Sequence, residues 1–197
     1  MIYDVIIVGA GASGLFLGAN LKGKKVAILE KNSSAGKKIL ASGGGRCNIT
    51  NRFVSAKNYL GEQKFIEQIL KIISPDQVLK FFSELKFSEQ KQNQFFCDSG
   101  AKSVLSLLLK RQNADIFYNK EVIGAQKVDE IFEILTKDEK FRARNLVIAS
   151  GGLSYKALGA SDIGYKVACE FDLELSPTTP ALVGFSVQKD EFWFKEL

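Results

Sequence analysis

Apolar residues run almost unbroken from Tyr3 to Val8 and stop at Gly9, as in a parallel strand buried on both faces. Leu15, Phe16, Ala19 and Leu21 then mark the inner side of a short helix, which Gly23 ends. Lys25–Glu30 reads as a second strand, Val26-Ala27-Ile28-Leu29, closing on an acid. From Asn32 to Asn51 no periodicity remains, and the segment is expected to be a long loop, usually a functional feature. Helical spacing returns at Phe65, Ile66, Ile69, Leu70 and Ile73, a stripe expected to pack into the core. Ser74-Pro75-Asp76-Gln77 opens another helix with three agreeing signals: Ser at the cap, Pro at the first position and Gln at the third. Val78, Leu79, Phe82 and Leu85 continue it, and a third helix is expected over Lys102–Arg111.

Alternation then replaces the helical period. Strands are expected at Ile116–Tyr118, Glu121–Val128, Ile131–Thr136, Lys140–Arg144 and Leu146–Ala149. Asp129-Glu130 and Lys137-Asp138-Glu139 are the hairpin turns between them. The order is therefore βαβ, a helical excursion over 58–112, an antiparallel meander and a last buried strand opening on Ser150-Gly151-Gly152. It predicts an α/β chain with a Rossmann-like parallel sheet and an antiparallel meander as its crossover, spanning 1–176. Composition shifts near Pro177 and Pro180, so 177–197 is expected to begin a second domain, with a strand around Phe192, Trp193 and Phe194.

Composition narrows the chemistry chiefly by what it lacks. The 197 residues contain no histidine, which excludes a Ser-His-Asp triad, a Cys-His dyad and a His-based zinc site within this chain. Cys47, Cys97 and Cys169 lie far apart and form no C-x-x-C motif. Any chemistry is expected to come from a bound cofactor. The net charge of +5 permits contact with phosphates or RNA without demanding it. No apolar run reaches the ~20 residues of a membrane span, and the N-terminal stretch lacks the basic leader of a signal peptide, so a cytoplasmic protein without a membrane partner is expected.

Gly9, Gly11 and Gly14 form G-x-G-x-x-G, with Gly18 following, and Glu30 stands 21 residues beyond Gly9. The context is the informative part: the motif leaves a strand, opens a helix and is followed by an acid near the ~20-residue spacing of dinucleotide folds. Gly9 turns the chain, Gly11 admits a pyrophosphate to the backbone, and Gly14 lets the helix lie close on the sheet. The free N–H groups of the first helical turn would hold the phosphates. Glu30 would accept ribose hydroxyls and repel a 2′-phosphate, which disfavours NADP at this site. FAD and NAD share the fingerprint. FAD is favoured because the motif stands at the start of the chain, occurs once, and has a second small-residue loop, Ser150-Gly151-Gly152, at the end of a later buried strand.

Lys37 to Asn51 contains three consecutive glycines, Gly43, Gly44 and Gly45, preceded by Lys38 and Ser42 and followed by Arg46, Cys47 and Asn48. Such a backbone can bend round a flat ligand and aim N–H groups at it. Lys38 and Arg46 offer charge to phosphates or to an anionic reduced flavin. Cys47 is a weak catalytic candidate: a thiolate beside Arg46 would have a lowered pKa, although a small residue packed in a tight loop is the favoured reading.

Ser42-Gly43-Gly44-Gly45-Arg46-Cys47-Asn48-Ile49-Thr50-Asn51, with Gly151-Gly152-Leu153-Ser154-Tyr155 and Pro180-Ala181-Leu182-Val183, resembles the BaiN/RdsA-type flavoproteins, a family that includes aminoacetone oxidase-like enzymes. The resemblance implies a Rossmann-like FAD domain carrying an inserted β-rich domain, in a protein about twice this length, so this chain is expected to be its N-terminal portion. It implies an FAD-dependent oxidoreductase, with NAD(P)H as electron donor and a small molecule or uridine in ribosomal RNA as substrate. By position, Ala12, Ser13 and Gly14 would meet the pyrophosphate, and Glu30 with Lys31 the adenosine. Val122 would meet adenine through its backbone, Lys38 and Ser42 to Asn48 would line the flavin, and Ala149 to Gly152 would finish the pocket. Phe96-Cys97, Ser154-Tyr155-Lys156, Asp162-Ile163-Gly164-Tyr165 and Phe171-Asp172 depart from the family pattern. Two other classes stay open beside it, an NAD-binding dehydrogenase and a non-catalytic nucleotide-binding module.

Overall fold

Nine strands and six α-helices lie within residues 1–179, the part that the computed structural model describes. The expected opening unit is present: β1 (Tyr3–Val8), α1 (Ala12–Asn20) and β2 (Val26–Leu29). Parallel pairing sets Val5 against Val26 and Val8 against Leu29, and β2 pairs in parallel with β6 (Ala114–Phe117). The principal sheet has the order β6-β2-β1-β9-β8-β7. Its antiparallel edge is the meander β7 (Val122–Val128), β8 (Ile131–Thr136) and β9 (Lys140–Ile148), joined by turns at the expected places.

Both faces of this sheet are covered. Val5, Ile7, Val26 and Ile28 enter one core with Leu15 of α1 and with Val104, Leu107 and Leu108 of α5 (Ala101–Lys110). Their alternates Ile6, Val8, Ala27 and Leu29 enter the other, with Ile134, Phe141 and Val167. Burial on both faces is why β1 and β2 read as continuous apolar runs.

Four expectations are corrected. Lys140–Arg144 and Leu146–Ala149 are one strand, β9, antiparallel to β8 through Phe132↔Ala143 and parallel to β1 from Tyr3↔Ala143 to Val8↔Ile148. Asn32–Asn51 is not a structureless loop. It holds a short helix, α2 (Lys37–Ala41), anchored by buried Ile39, a tight helical turn over Ser42–Gly45, and β3 (Asn48–Asn51). The excursion over 58–112 is not wholly helical: β4 (Phe87–Glu89) and β5 (Gln94–Cys97) join β3 in a small antiparallel sheet of order β3-β5-β4.

The stripe on α3 (Gln63–Ile72) forms the expected helix but does not enter the core, since Phe65 is 62% and Ile69 43% exposed. The next helix, α4 (Pro75–Phe81), bears out its N-terminal signals, since Ser74 Oγ accepts from Gln77 N and Gln77 Oε1 accepts from Ser74 N, but it ends at Phe81, short of the expected Phe82 and Leu85. A sixth helix, α6 (Ile163–Glu170), was not expected. The strand expected around Phe192–Phe194 and most of 177–197 lie outside the described residues.

Candidate functional site

The carboxyl ends of β1, β2 and β9 meet at one edge of the sheet, where α/β folds hold ligands. At the end of β1 the backbone turns at Gly9, φ +107°, a conformation that glycine adopts freely. A side chain there would also meet Ala149 O at 2.7 Å. Gly14 packs tighter still: a Cβ would stand 2.0 Å from Gly9 O. Gly18 brings α1 down against Ile28 and Ala114. Gly11 differs from all three, because nothing lies within 4 Å of where its Cβ would be. The glycine that the fingerprint reserves for a pyrophosphate therefore faces open space. Beside it stand the N–H groups of the first turn of α1, which a helix cannot satisfy from within. These residues fit a dinucleotide.

A cleft of about 450 Å³ opens there, lined by Ser13, Ile148, Ala149, Ser150, Gly151, Gly164, Tyr165 and Leu175. A second, adjoining one is lined by Gly9, Glu30, Lys31, Val122 and Ser150, with Lys120, Glu121, Gly159 and Ser161. Of the expected site residues, Gly9, Ser13, Glu30, Lys31, Val122 and Ala149 to Gly151 line these two clefts, and Gly11, Ala12, Gly14 and Gly152 line neither. Lys120, Glu121, Gly159, Ser161 and the α6 residues Gly164 and Tyr165 escaped the sequence reading. α6 offers only Ile163 and Val167 as buried positions, too few to announce a helix.

Glu30 is buried at 8% exposure, and its carboxylate has partners inside the chain. Oε2 accepts from Ala10 N at 2.8 Å. Oε1 accepts from Asn32 N at 2.8 Å and Asn32 Nδ2 at 2.7 Å.

The second glycine cluster stands apart. Among the described residues, none of Ser42 to Asn48 lines either cleft. The link is Lys38 on α2, whose Nζ comes within 3.1 Å of where a Cβ of Gly151 would stand. Gly43, Gly44 and Gly45 all have positive φ, and Gly43 presses on the ring of Phe96 in β5. Arg46 is exposed and stacks its guanidinium on the same ring at 4.6 Å. Cys47 is buried, its thiol pushed up by burial and only partly offset by a hydrogen bond with Ser42. The direction is opposite to the lowering expected beside Arg46, and the burial is compatible with a small residue packed in a tight loop.

The family model described as HI0933-like protein Rossmann domain matches residues 3–189. Two curated relatives are similar over nearly the whole chain. One is the "Ribosomal RNA dihydrouridine synthase" of Escherichia coli (strain K12), 34% identical over 195 residues, 95% of this chain and 49% of that protein. The other is the "3-dehydro-bile acid delta(4,6)-reductase" of Clostridium scindens, 37% identical over 196 residues, 94% of this chain and 48% of that protein. The chain spans about half the length of these relatives. Among solved structures, Thermovibrio ammonificans THI4 superposes with a TM-score of 0.54 at 18% identity, covering 87% of this chain and 64% of that one, a likeness of fold.

Proposed function

The chain belongs to the HI0933-like Rossmann-domain family, and on that premise we propose that it carries the FAD-binding portion of a flavin-dependent oxidoreductase. The observation that carries the reading is that no described atom lies within 4 Å of where a Cβ of Gly11 would stand, two residues before Ser13, which lines the first cleft with Ala149 to Gly151. FAD, when bound, would supply two-electron redox chemistry. The N–H groups of Ala12, Ser13 and Gly14 bind the pyrophosphate. Glu30 holds the adenosine ribose, with Lys31 beside it, and Val122 lies against adenine. Ala149 to Gly152 would close the pocket, with the Lys38 ammonium beside Gly151. Ser42, Gly43 to Gly45, Arg46, Cys47 and Asn48 stand apart from the two clefts, and as the family resemblance implies they would hold the flavin end of FAD, with Lys38 and Arg46 offering positive charge. Cys47 contributes packing, not nucleophilic chemistry.

A reduced nicotinamide is the proposed electron donor and an unsaturated ring the proposed acceptor. Uridine in ribosomal RNA is preferred, on the similarity to the Escherichia coli relative. Purified chain that is yellow, or takes up added FAD with quenching of its fluorescence, supports the reading. A colourless preparation that takes up no FAD overturns it, and binding of NADH without flavin would select a dehydrogenase instead. Disappearance of a dihydrouridine from ribosomal RNA on gene deletion tests the substrate, and unchanged RNA would turn the proposal to a small molecule.

A further inference from the structure

The hydrogen bonds around Glu30 already occupy most of its accepting capacity. A carboxylate has about four acceptor positions, two on each oxygen. Asn32 fills both on Oε1, one from its backbone N–H and one from its side-chain amide. Ala10 N fills one on Oε2. Among the described residues a single acceptor position is left, on an oxygen of a residue that lines the second cleft.

Asn32 is itself held. Lys37 Nζ donates to Asn32 Oδ1 at 3.0 Å, which turns the amide so that its NH₂ faces Glu30. Asn119 N donates to the carbonyl of Asn32 at 3.1 Å. From the other side Gly159, at φ +99°, leaves room for the amide: a Cβ there would stand 2.4 Å from Asn32 Nδ2. Glu30, Lys37 and Gly159 thus agree on one orientation for the side chain, and Asn119 holds its backbone.

Resting on the FAD reading above, we propose that Asn32 is a positioning residue that leaves Glu30 one free acceptor, so that the carboxylate holds one ribose hydroxyl of the adenosine and not two. The consequence is asymmetric recognition of the ribose. The hydroxyl that meets Oε2 contributes to affinity, and the other is free of Glu30. Removing the Asn32 amide opens a second position on Oε1 and makes the grip bidentate.

The test uses the 197-residue chain and three probes: FAD, and its analogues lacking the 2′- or the 3′-hydroxyl of the adenosine ribose. Affinity is read from quenching of flavin fluorescence. In the wild type one analogue is expected to bind about tenfold more weakly than FAD, the scale of a hydrogen bond to a charged acceptor, and the other within about twofold. In Asn32→Ala both analogues are expected to lose affinity. Lys37→Met, which frees the amide to turn without removing it, should move the pattern in the same direction and guards against a folding defect in Asn32→Ala. Equal losses for both analogues in the wild type overturn the inference while leaving the FAD reading intact, as does a pattern unchanged in both variants. No binding of FAD itself overturns both.

Discussion

At the residue scale, two glycines three positions apart carry opposite obligations. Gly14 is required by the fold, because a methyl group there would stand 2.0 Å from Gly9 O and force α1 off the sheet. On the proposed reading Gly11 is required by the ligand: among the described residues nothing occupies its Cβ position, and its backbone, φ −83° and ψ −168°, suits any residue. Gly14→Ala is therefore expected to cost about 3 kcal/mol of stability, the upper end of overpacking penalties. Gly11→Ala should cost under about 1 kcal/mol as a change at a helix cap. Affinity for FAD should nevertheless fall more than tenfold in Gly11→Ala, because the methyl group takes the space of a phosphate. Urea denaturation together with FAD titration separates the two roles. A Gly11→Ala protein that binds FAD normally would show that the phosphate does not approach there.

Among elements, the meander is held by a cross-strand cluster as well as by its ladder. Glu133 on β8 lies between Gln126 on β7 and Arg142 on β9, and Lys140 reaches it diagonally. Lys140 Nζ donates at 2.7 Å, Gln126 Nε2 at 2.9 Å and Arg142 Nε at 3.0 Å. These donors, Lys140 first, hold the Glu133 carboxyl down to about 2 from an ordinary 4.5. A depressed carboxyl contributes stability that is complete above the unfolded value and is lost as pH falls through the folded one. The part due to Glu133 should therefore vanish between about pH 4.5 and about pH 2. The difference in urea midpoint between wild type and Glu133→Gln should narrow across that window, and a difference constant from pH 6 to pH 2 would overturn the assignment.

The same scale shows why some elements were legible and others not. β1, α1 and β2 are written locally, in two buried runs and a glycine spacing. The capping box of α4 is written within four residues. β9 looked like two strands because Arg142, Arg144 and Asn145 interrupt its apolar residues, yet its backbone continues while its pairing passes from β8 to β1. β3, β4 and β5 have three or four residues each, too few for an alternation, and they exist through pairing such as Asn48↔Phe96 that no local window contains. Asn32 was missed at the site for a related reason: its partners are at positions 30, 37 and 159, and no motif marks it. On α3 the period correctly placed Phe65 and Ile69 on a shared face, but period alone does not say what covers a face. Ile69→Ser is accordingly expected to cost no more than about 1 kcal/mol, whereas Ile134→Ser, at a fully buried position, should cost about 2–5 kcal/mol. Parallel denaturation curves check this, and a large loss from Ile69→Ser would mean that α3 is covered in solution.

Over the whole molecule, the candidate site draws on parts that fold far apart in sequence. The first turn of α1, Glu30 at the end of β2, Lys38 on α2, Ala149 to Gly151 after β9, and Gly164 and Tyr165 on α6 surround the two clefts. The cores on the two faces of the sheet share β1 and β2, so a ligand at that edge is coupled to both. FAD that binds the folded chain and not the unfolded one must stabilise it by RT ln(1 + [FAD]/Kd), about 2.7 kcal/mol at a hundredfold excess over Kd. For a chain of this size that corresponds to a rise in Tm of roughly 5–10 °C. At the same FAD concentration the rise should be cut to about half or less in Gly11→Ala, which keeps the fold and binds FAD more than tenfold more weakly. It should persist in Ile69→Ser, whose change lies on α3, away from the residues that line the clefts. Thermal melts of the three proteins over a series of FAD concentrations decide the matter. A wild-type Tm that does not move at saturating FAD would mean that the half of the family's length present here does not form a working site by itself.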